Sequence, residues 1–150
     1  MCIEVFGDED VDVILSVGQK FDMRKLRNLP PNIHVYKSVP QIQVLKMADV
    51  FVTHGGMNSV SEALAYRVPM VVIPFVSDQP VNARFVEKLG VGKRLEYSNI
   101  NEDILKDTVL SMIDNSDIKG NLDKLQNLIK EAPGNKGGAE MIIEFWRNKG

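Results

Sequence analysis

Short apolar runs alternate with helical stretches along the first two thirds of the chain. The apolar runs are rich in β-branched residues and are bounded by polar residues, glycine or proline, which is typical of buried β-strands. The predicted strands cover residues 11–17, 32–36, 50–53, 69–73 and a segment near 93–95, and the predicted helices cover 41–47, 58–66 and 82–89. Near-continuous apolar strands between helices predict an α/β fold, a doubly wound, Rossmann-like parallel sheet covered on both faces.

The last third of the chain has a different pattern. Apolar residues fall at helical spacing from residue 102 onward, which predicts helices packed on the sheet. The predicted inward positions are Ile104, Val109, Met112, Ile113, Leu122, Leu125, Leu128 and Ile129. A glycine-rich linker at 134–138 and a final amphipathic helix at 139–147 complete the prediction.

Composition narrows the class of protein. The 150 residues, 44% hydrophobic and 25% charged, suit one globular domain, and 18 basic against 20 acidic side chains give a net charge of -2. This balance argues against a nucleic-acid partner. Cys2 is the only cysteine, and no apolar run is long enough for a signal peptide or a membrane span. We therefore expect a cytoplasmic protein without a membrane span.

One strand-to-helix loop has the strongest candidate chemistry. The strand ending near residue 53 is followed by Gly55 and Gly56, which allow a tight turn, and a helix begins near residue 57. Free backbone N–H groups at this point form an anion site. His54 can donate to phosphate oxygens, and Asn58 and Ser59 add neutral donors. The alternative is structural, because glycines often precede helices and Asn or Ser at such a position commonly caps the helix.

Carboxylate and amide side chains complete the candidate site. Glu62 lies four residues after Asn58 on one helical face, where it would repel phosphate but accept hydrogen bonds from two ribose hydroxyls. Asp78 and Gln79 follow the next strand and leave the sheet on the same side as His54. An acid beside an amide suits the hydroxyls of a sugar, although an Asx-type turn would use the same residues.

These residues form part of a longer pattern. It comprises Val39-Pro40-Gln41, Ala48-Asp49, residues 51–59, Glu62-Ala63-Leu64, Val68-Pro69, Pro74, Asp78-Gln79 and Asn82-Ala83. The pattern resembles the donor-binding signature of UDP-glycosyltransferases, especially the bacterial macrolide-glycosyltransferase-like branch. The resemblance implies the C-terminal half of a GT-B glycosyltransferase, which binds a UDP-sugar.

The resemblance also implies a role for each donor-binding residue. Val39 and Gln41 would meet the uracil edge, Glu62 the ribose, and Asp78 and Gln79 the transferred sugar. The diphosphate set comprises His54, Gly56, Asn58 and Ser59, with Gly55 in the same turn.

The sequence departs from the family pattern at two positions. Ser38 replaces an aromatic residue that usually stacks on uracil, and Arg67 replaces a glycine. The preference for uracil over another base is therefore open.

By the same resemblance, residues 1–150 form a donor domain that lacks its first strand and the N-terminal acceptor domain. That partner domain or subunit would hold the acceptor and the general base, so no catalytic residue is assigned in this chain. His34, in a predicted strand, is expected to be structural.

No metal and no cofactor are predicted, since the UDP-sugar is a substrate. Asp8, Glu9 and Asp10 have the acidic spacing of a metal motif but precede a strand, which favours a solvated turn. The glycines at 134–138 lack the spacing of a phosphate loop.

The preferred function is a UDP-sugar-dependent hexosyltransferase, of which this chain is the donor-binding part, and we expect this part to be inactive alone. One alternative is a non-catalytic nucleotide-sugar-binding subunit of a split glycosyltransferase. A sugar-nucleotide epimerase is a further alternative, for which only Glu62 and Asp78 supply candidate carboxylates.

Overall fold

Parallel strands alternate with helices in the structure, a computed structural model that describes residues 1–131. The strands are β1 (Val13–Ser16), β2 (Ile33–Tyr36), β3 (Phe51–Thr53), β4 (Met70–Val72) and β5 (Gly92–Arg94). The helices are α1 (Cys2–Phe6), α2 (Gln41–Leu45), α3 (Met57–Tyr66), α4 (Gln79–Lys88), α5 (Glu102–Leu110) and α6 (Ser116–Glu131). The predicted α/β architecture is confirmed. The predicted linker at 134–138 and helix at 139–147 lie outside the described residues.

Within residues 1–131 the strands form two parallel sheets. One has the order β1-β2, with Val13 opposite Ile33, and the other has the order β3-β4-β5. In the second sheet β4 pairs on both sides, with Val71 opposite Val52 and Lys93. Because these strands are parallel, the carboxyl ends of β3, β4 and β5 lie at one edge, from which the candidate loops emerge.

The main hydrophobic core surrounds β4, whose three residues are all fully buried. The same cluster contains Val60 and Ala63 of α3, Ala83 and Val86 of α4, and Leu122 of α6. Burial of this kind is the dominant favourable term in folding, at roughly 25 cal/mol per Å² of apolar surface. The core therefore fixes the positions of α3 and α4, the helices that carry the candidate site.

A second cluster packs under the two-stranded sheet. It contains Val5 and Phe6 of α1, Ile33 of β2 and Leu105 of α5. These side chains cover one face of β1, while Ile14 on the other face is 38% exposed. The sequence predicts a buried β1. Among the described residues only one face of this strand is covered, so the prediction holds for that face alone.

Helix α4 begins at Gln79, three residues before the predicted start at Asn82. The reason is Pro80, which occupies the first turn, where its missing N–H and fixed φ are compatible with a helix. Asp78 and Gln79, expected in a loop, therefore stand at the N-cap and the first position of the helix.

The inward face of α5 and the end of α3 both depart from the pattern expected from the sequence. In α5 the fully buried residue is Leu105, whereas Ile104, predicted to face inward, is exposed. Arg67 ends α3 with a φ of 59°, in the left-handed region that glycine adopts most easily. The departure from glycine is therefore accommodated by strain of the backbone, and the Arg67 side chain pairs with Asp123 of α6 at 3.0 Å.

Candidate functional site

The turn between β3 and α3 is held in an unusual backbone conformation. Gly55 has a φ of 85°, and a Cβ atom built on it would lie 2.4 Å from Cγ1 of Val72. The N–H of Gly55 donates to Oγ1 of the buried Thr53 at 3.3 Å. A glycine is therefore required here for two reasons, the positive φ and the close approach to β4.

The first turn of α3 opens toward solvent. Its N-cap is Gly56, which provides no side-chain cap, so the backbone N–H groups of the first turn are not satisfied by a capping side chain. An open depression of about 420 Å³ lies at this point, lined by His54, Gly56, Met57, Asn58 and Ser59. The structural alternative, in which an Asn or Ser side chain caps the helix, is not observed, because the N-cap is Gly56. The geometry is suited to an anion.

His54 lies directly over the turn. Its ring is exposed and packs on Gly56, where a Cβ atom would come within 2.9 Å of Nε2. Any larger residue at position 56 would displace the imidazole ring from the first turn of α3. The imidazole is thus placed beside the open N–H groups, where it can donate to the same anion.

Glu62, one turn further along α3, is linked to α2. Nε2 of Gln41 donates to Oε2 of Glu62 at 2.7 Å and to Oγ of Ser59 at 3.3 Å. The structure therefore places Gln41 beside the proposed ribose acceptor. Its expected contact with uracil remains a prediction, as does that of the half-buried Val39.

The loop after β4 is shaped by the side chain of Gln79. Its Oε1 accepts hydrogen bonds from the backbone N–H groups of Phe75 and Val76, at 2.9 and 3.1 Å. The oxygen of this amide therefore stabilises the loop, and the role proposed toward a sugar falls to Nε2, which is a donor.

The two loops meet through Asn82, a residue to which the sequence pattern assigned no role. Its Nδ2 donates to the carbonyl oxygen of Gly55 at 2.9 Å and to Oδ2 of Asp78 at 3.0 Å. The predicted convergence of two strand ends is thus visible as a direct connection. A buried Asn four residues after an Asp, at the start of a helix, is the feature that could have indicated it.

The other polar groups considered from the sequence lie elsewhere. Asp8, Glu9 and Asp10 lie in the turn before β1, at its amino end, and Glu9 pairs with Lys106 of α5. His34 lies on β2, with Nε2 3.4 Å from Oδ1 of Asp12. Among residues 1–131, no helix is long and apolar enough to cross a membrane.

Comparison with known proteins decides the family. The model of the family described as UDP-glucoronosyl and UDP-glucosyl transferase matches residues 13–146. The chain belongs to this family. Its predicted resemblance to UDP-glycosyltransferases is confirmed.

Individual members of the UDP-glycosyltransferase family match almost the whole chain. The uncharacterized UDP-glucosyltransferase YojK of Bacillus subtilis (strain 168) is 40% identical over 99% of this chain and 36% of its own length. The oleandomycin glycosyltransferase of Streptomyces antibioticus is 32% identical, over 94% of this chain and 33% of its own. The solved structure of the glycotransferase of kitacinnamycin has a TM-score of 0.88 and 38% identity, over 94% of this chain and 37% of its own. The Rossmann-like fold of GT-B glycosyltransferases is thereby confirmed, and the chain spans about a third of the length of these relatives.

Proposed function

We propose that this chain is the nucleotide-sugar-binding half of a UDP-sugar-dependent hexosyltransferase with GT-B architecture. The observation that carries the proposal is the uncapped first turn of α3, which opens at the carboxyl edge of the sheet beside the exposed ring of His54. An anion at a helix N-terminus gains about 0.3–1 kcal/mol from the helix dipole, and backbone N–H groups add directional hydrogen bonds. The diphosphate of the donor is assigned to this turn.

The neighbouring side chains are assigned to the rest of the donor. Glu62 lies on the same helix as the diphosphate turn and accepts from Gln41, and its remaining lone pairs can accept from two ribose hydroxyls. Asp78 and Nε2 of Gln79, at the end of β4, are assigned to the hydroxyls of the transferred sugar. Val39 is assigned to the base, for which the exposed Ser38 offers no ring to stack on.

The diphosphate clamp, which consists of the first turn of α3 and His54, contributes to catalysis by stabilising the leaving group. Negative charge grows on the departing nucleotide as the glycosidic bond breaks, and donors already aimed at it lower the barrier. We propose that no metal takes part, because a helix N-terminus and an imidazole supply the donors.

The acceptor and the general base are assigned to an N-terminal domain or a separate subunit. The support is that relatives are nearly three times longer than the region they share with this chain. Exposed apolar side chains also lie in and around the loop after β4, which favours a partner that covers them. They are Phe75, Val76, Val81, Phe85 and Tyr97, and the rings of Phe75 and Tyr97 are 4.9 Å apart.

The variant Glu62→Gln tests the ribose assignment. Glutamine keeps an acceptor for Gln41 but removes the charge, and hydrogen bonds to charged groups are worth about 1.5–3 kcal/mol. We expect UDP affinity to fall about tenfold or more, while affinity for 2′,3′-dideoxy-UDP, which lacks both hydroxyls, changes little. Isothermal titration calorimetry of the 150-residue chain measures both.

The control for this variant is Glu87→Gln, on the exposed side of α4. It removes an equal charge away from the turn and should leave both affinities unchanged. Equal weakening of UDP and the dideoxy analogue by Glu62→Gln would show that Glu62 acts through the fold and not on the ribose.

A further inference from the structure

The buried side chain of Asn82 connects the two loops that form the candidate site. Asn82 is 3% exposed, and the two hydrogens of its Nδ2 are directed to different loops. One is donated to the carbonyl oxygen of Gly55 in the turn after β3, and the other to Oδ2 of Asp78 in the segment after β4. Backbone pairing between the two chain segments ends at the bond from the N–H of Ile73 to the carbonyl of Thr53, and beyond it the amide is the polar link between them among the described residues.

The bond to Gly55 fixes the backbone on which His54 depends. The N–H of Gly55 is held by Thr53 and its carbonyl by Asn82, so both ends of this residue are restrained. Glycine has access to many other backbone conformations, so these two hydrogen bonds help to select the positive φ. Loss of the Asn82 bond would leave a buried carbonyl without that partner and allow the turn to relax away from the anion site.

The bond to Asp78 fixes the carboxylate assigned to the sugar. Asp78 is the N-cap of α4, yet its side chain makes no capping hydrogen bond and turns instead to Asn82, one helical turn away. Only Oδ2 is used in this bond, which leaves Oδ1 to accept from a ligand. Asn82 therefore orients Asp78 without blocking it.

We propose that Asn82 is a positioning residue that couples the diphosphate turn to the sugar-binding carboxylate, an inference that rests on the proposed function. Its own side chain is assigned to no part of the donor. Its removal should therefore affect ligands according to the part of the donor that they contain. Uridine depends on neither loop, UDP depends on the turn at Gly55, and UDP-glucose depends on both.

The test is calorimetric titration of the 150-residue chain and its Asn82→Ala variant with uridine, UDP and UDP-glucose. A neutral hydrogen bond corresponds to about 2- to 10-fold in affinity. We expect the Kd of uridine to change less than about twofold, that of UDP to rise about 5- to 10-fold, and that of UDP-glucose to rise about tenfold more. In an Asp78→Ala background the additional loss for UDP-glucose should vanish, since the group that Asn82 orients is gone.

Asn121→Ala is the matched control. Asn121 also donates from Nδ2 to a glycine carbonyl, that of Gly90 at 3.1 Å, but at the opposite end of α4. It should lower the melting temperature and leave all three Kd values unchanged. Equal changes for the three ligands in Asn82→Ala, or unchanged Kd values, would assign Asn82 to the fold and overturn the coupling.

A second variant covers the case in which Asn82→Ala does not fold. The variant Asn82→Leu keeps the number and branching of the side-chain heavy atoms and buries no charge, but it removes both donors, to Gly55 and to Asp78. UDP affinity should fall about 5- to 10-fold in this folded protein. An unchanged UDP affinity, or failure of both variants to fold, contradicts the proposal. Absence of UDP binding by the wild-type chain would overturn the proposed function with it, whereas normal wild-type binding isolates the test of Asn82.

Discussion

Replacement of Gly55 by alanine should destabilise the chain by about 2–5 kcal/mol and abolish measurable UDP binding. A φ of 85° costs an L-residue about 1–2 kcal/mol, and the new Cβ would lie 2.4 Å from Cγ1 of the fully buried Val72. The neighbouring strand cannot move without disturbing the core, so the turn must move instead, and the donors of α3 move with it. Urea unfolding and calorimetry measure the two effects.

Gly18→Ala separates the two causes. Gly18 has a φ of 83°, nearly that of Gly55, but a Cβ atom there would meet nothing within 4 Å. This control has the strain without the collision, so it should lose about 1–2 kcal/mol and retain UDP binding. If the two variants lose equal stability and both bind UDP, the close approach of the turn to β4 is not what shapes the site.

The variant His54→Ala should weaken UDP by about 10- to 100-fold and leave uridine nearly unchanged. A charge-assisted hydrogen bond from imidazole to a diphosphate is worth about 1.5–3 kcal/mol, and uridine has no anion to receive it. Calorimetric titrations with both ligands test this.

The other histidine supplies the control for His54→Ala. His34 lies on β2, in the two-stranded sheet, beside Asp12, and does not line the depression at the first turn of α3. His34→Ala should leave the affinity for UDP unchanged. An unchanged UDP affinity in His54→Ala would remove the diphosphate role of His54, and equal losses for UDP and uridine would make that residue structural.

The architecture, and the placement of the candidate residues at one edge of the sheet, follow from local rules. Apolar strands between helices predict the α/β fold, and parallel strands place His54 and Asp78 at the same edge without knowledge of any contact. The predicted start of α4 is three residues too late. Proline disrupts a helix at most positions but is favourable in the first turn, where Pro80 lies. Ile104 and Leu105 are adjacent, so a rotation of a fraction of a helical turn decides which is buried, and that rotation is set by packing.

Side-chain partnerships could not be predicted in the same way. Gln41 and Glu62 are 21 residues apart and belong to different helices, so their hydrogen bond depends on how α2 and α3 sit together. Oε1 of Gln79 accepts a backbone hydrogen bond from the loop that precedes α4, and this contact depends on the position of Gln79 at the start of the helix. The role proposed for Asn82 likewise required the positions of two loops at once.

We propose that a helix N-terminus and an imidazole bind the donor diphosphate without a metal. Calorimetric titration of the 150-residue chain with UDP, first in EDTA and then in Mg²⁺ or Mn²⁺, distinguishes this from a metal-dependent site. We expect saturable UDP binding in EDTA, with the same affinity when the metal is present. Binding that appears only with a divalent metal would contradict the assigned clamp and direct attention back to Asp8 and Asp10.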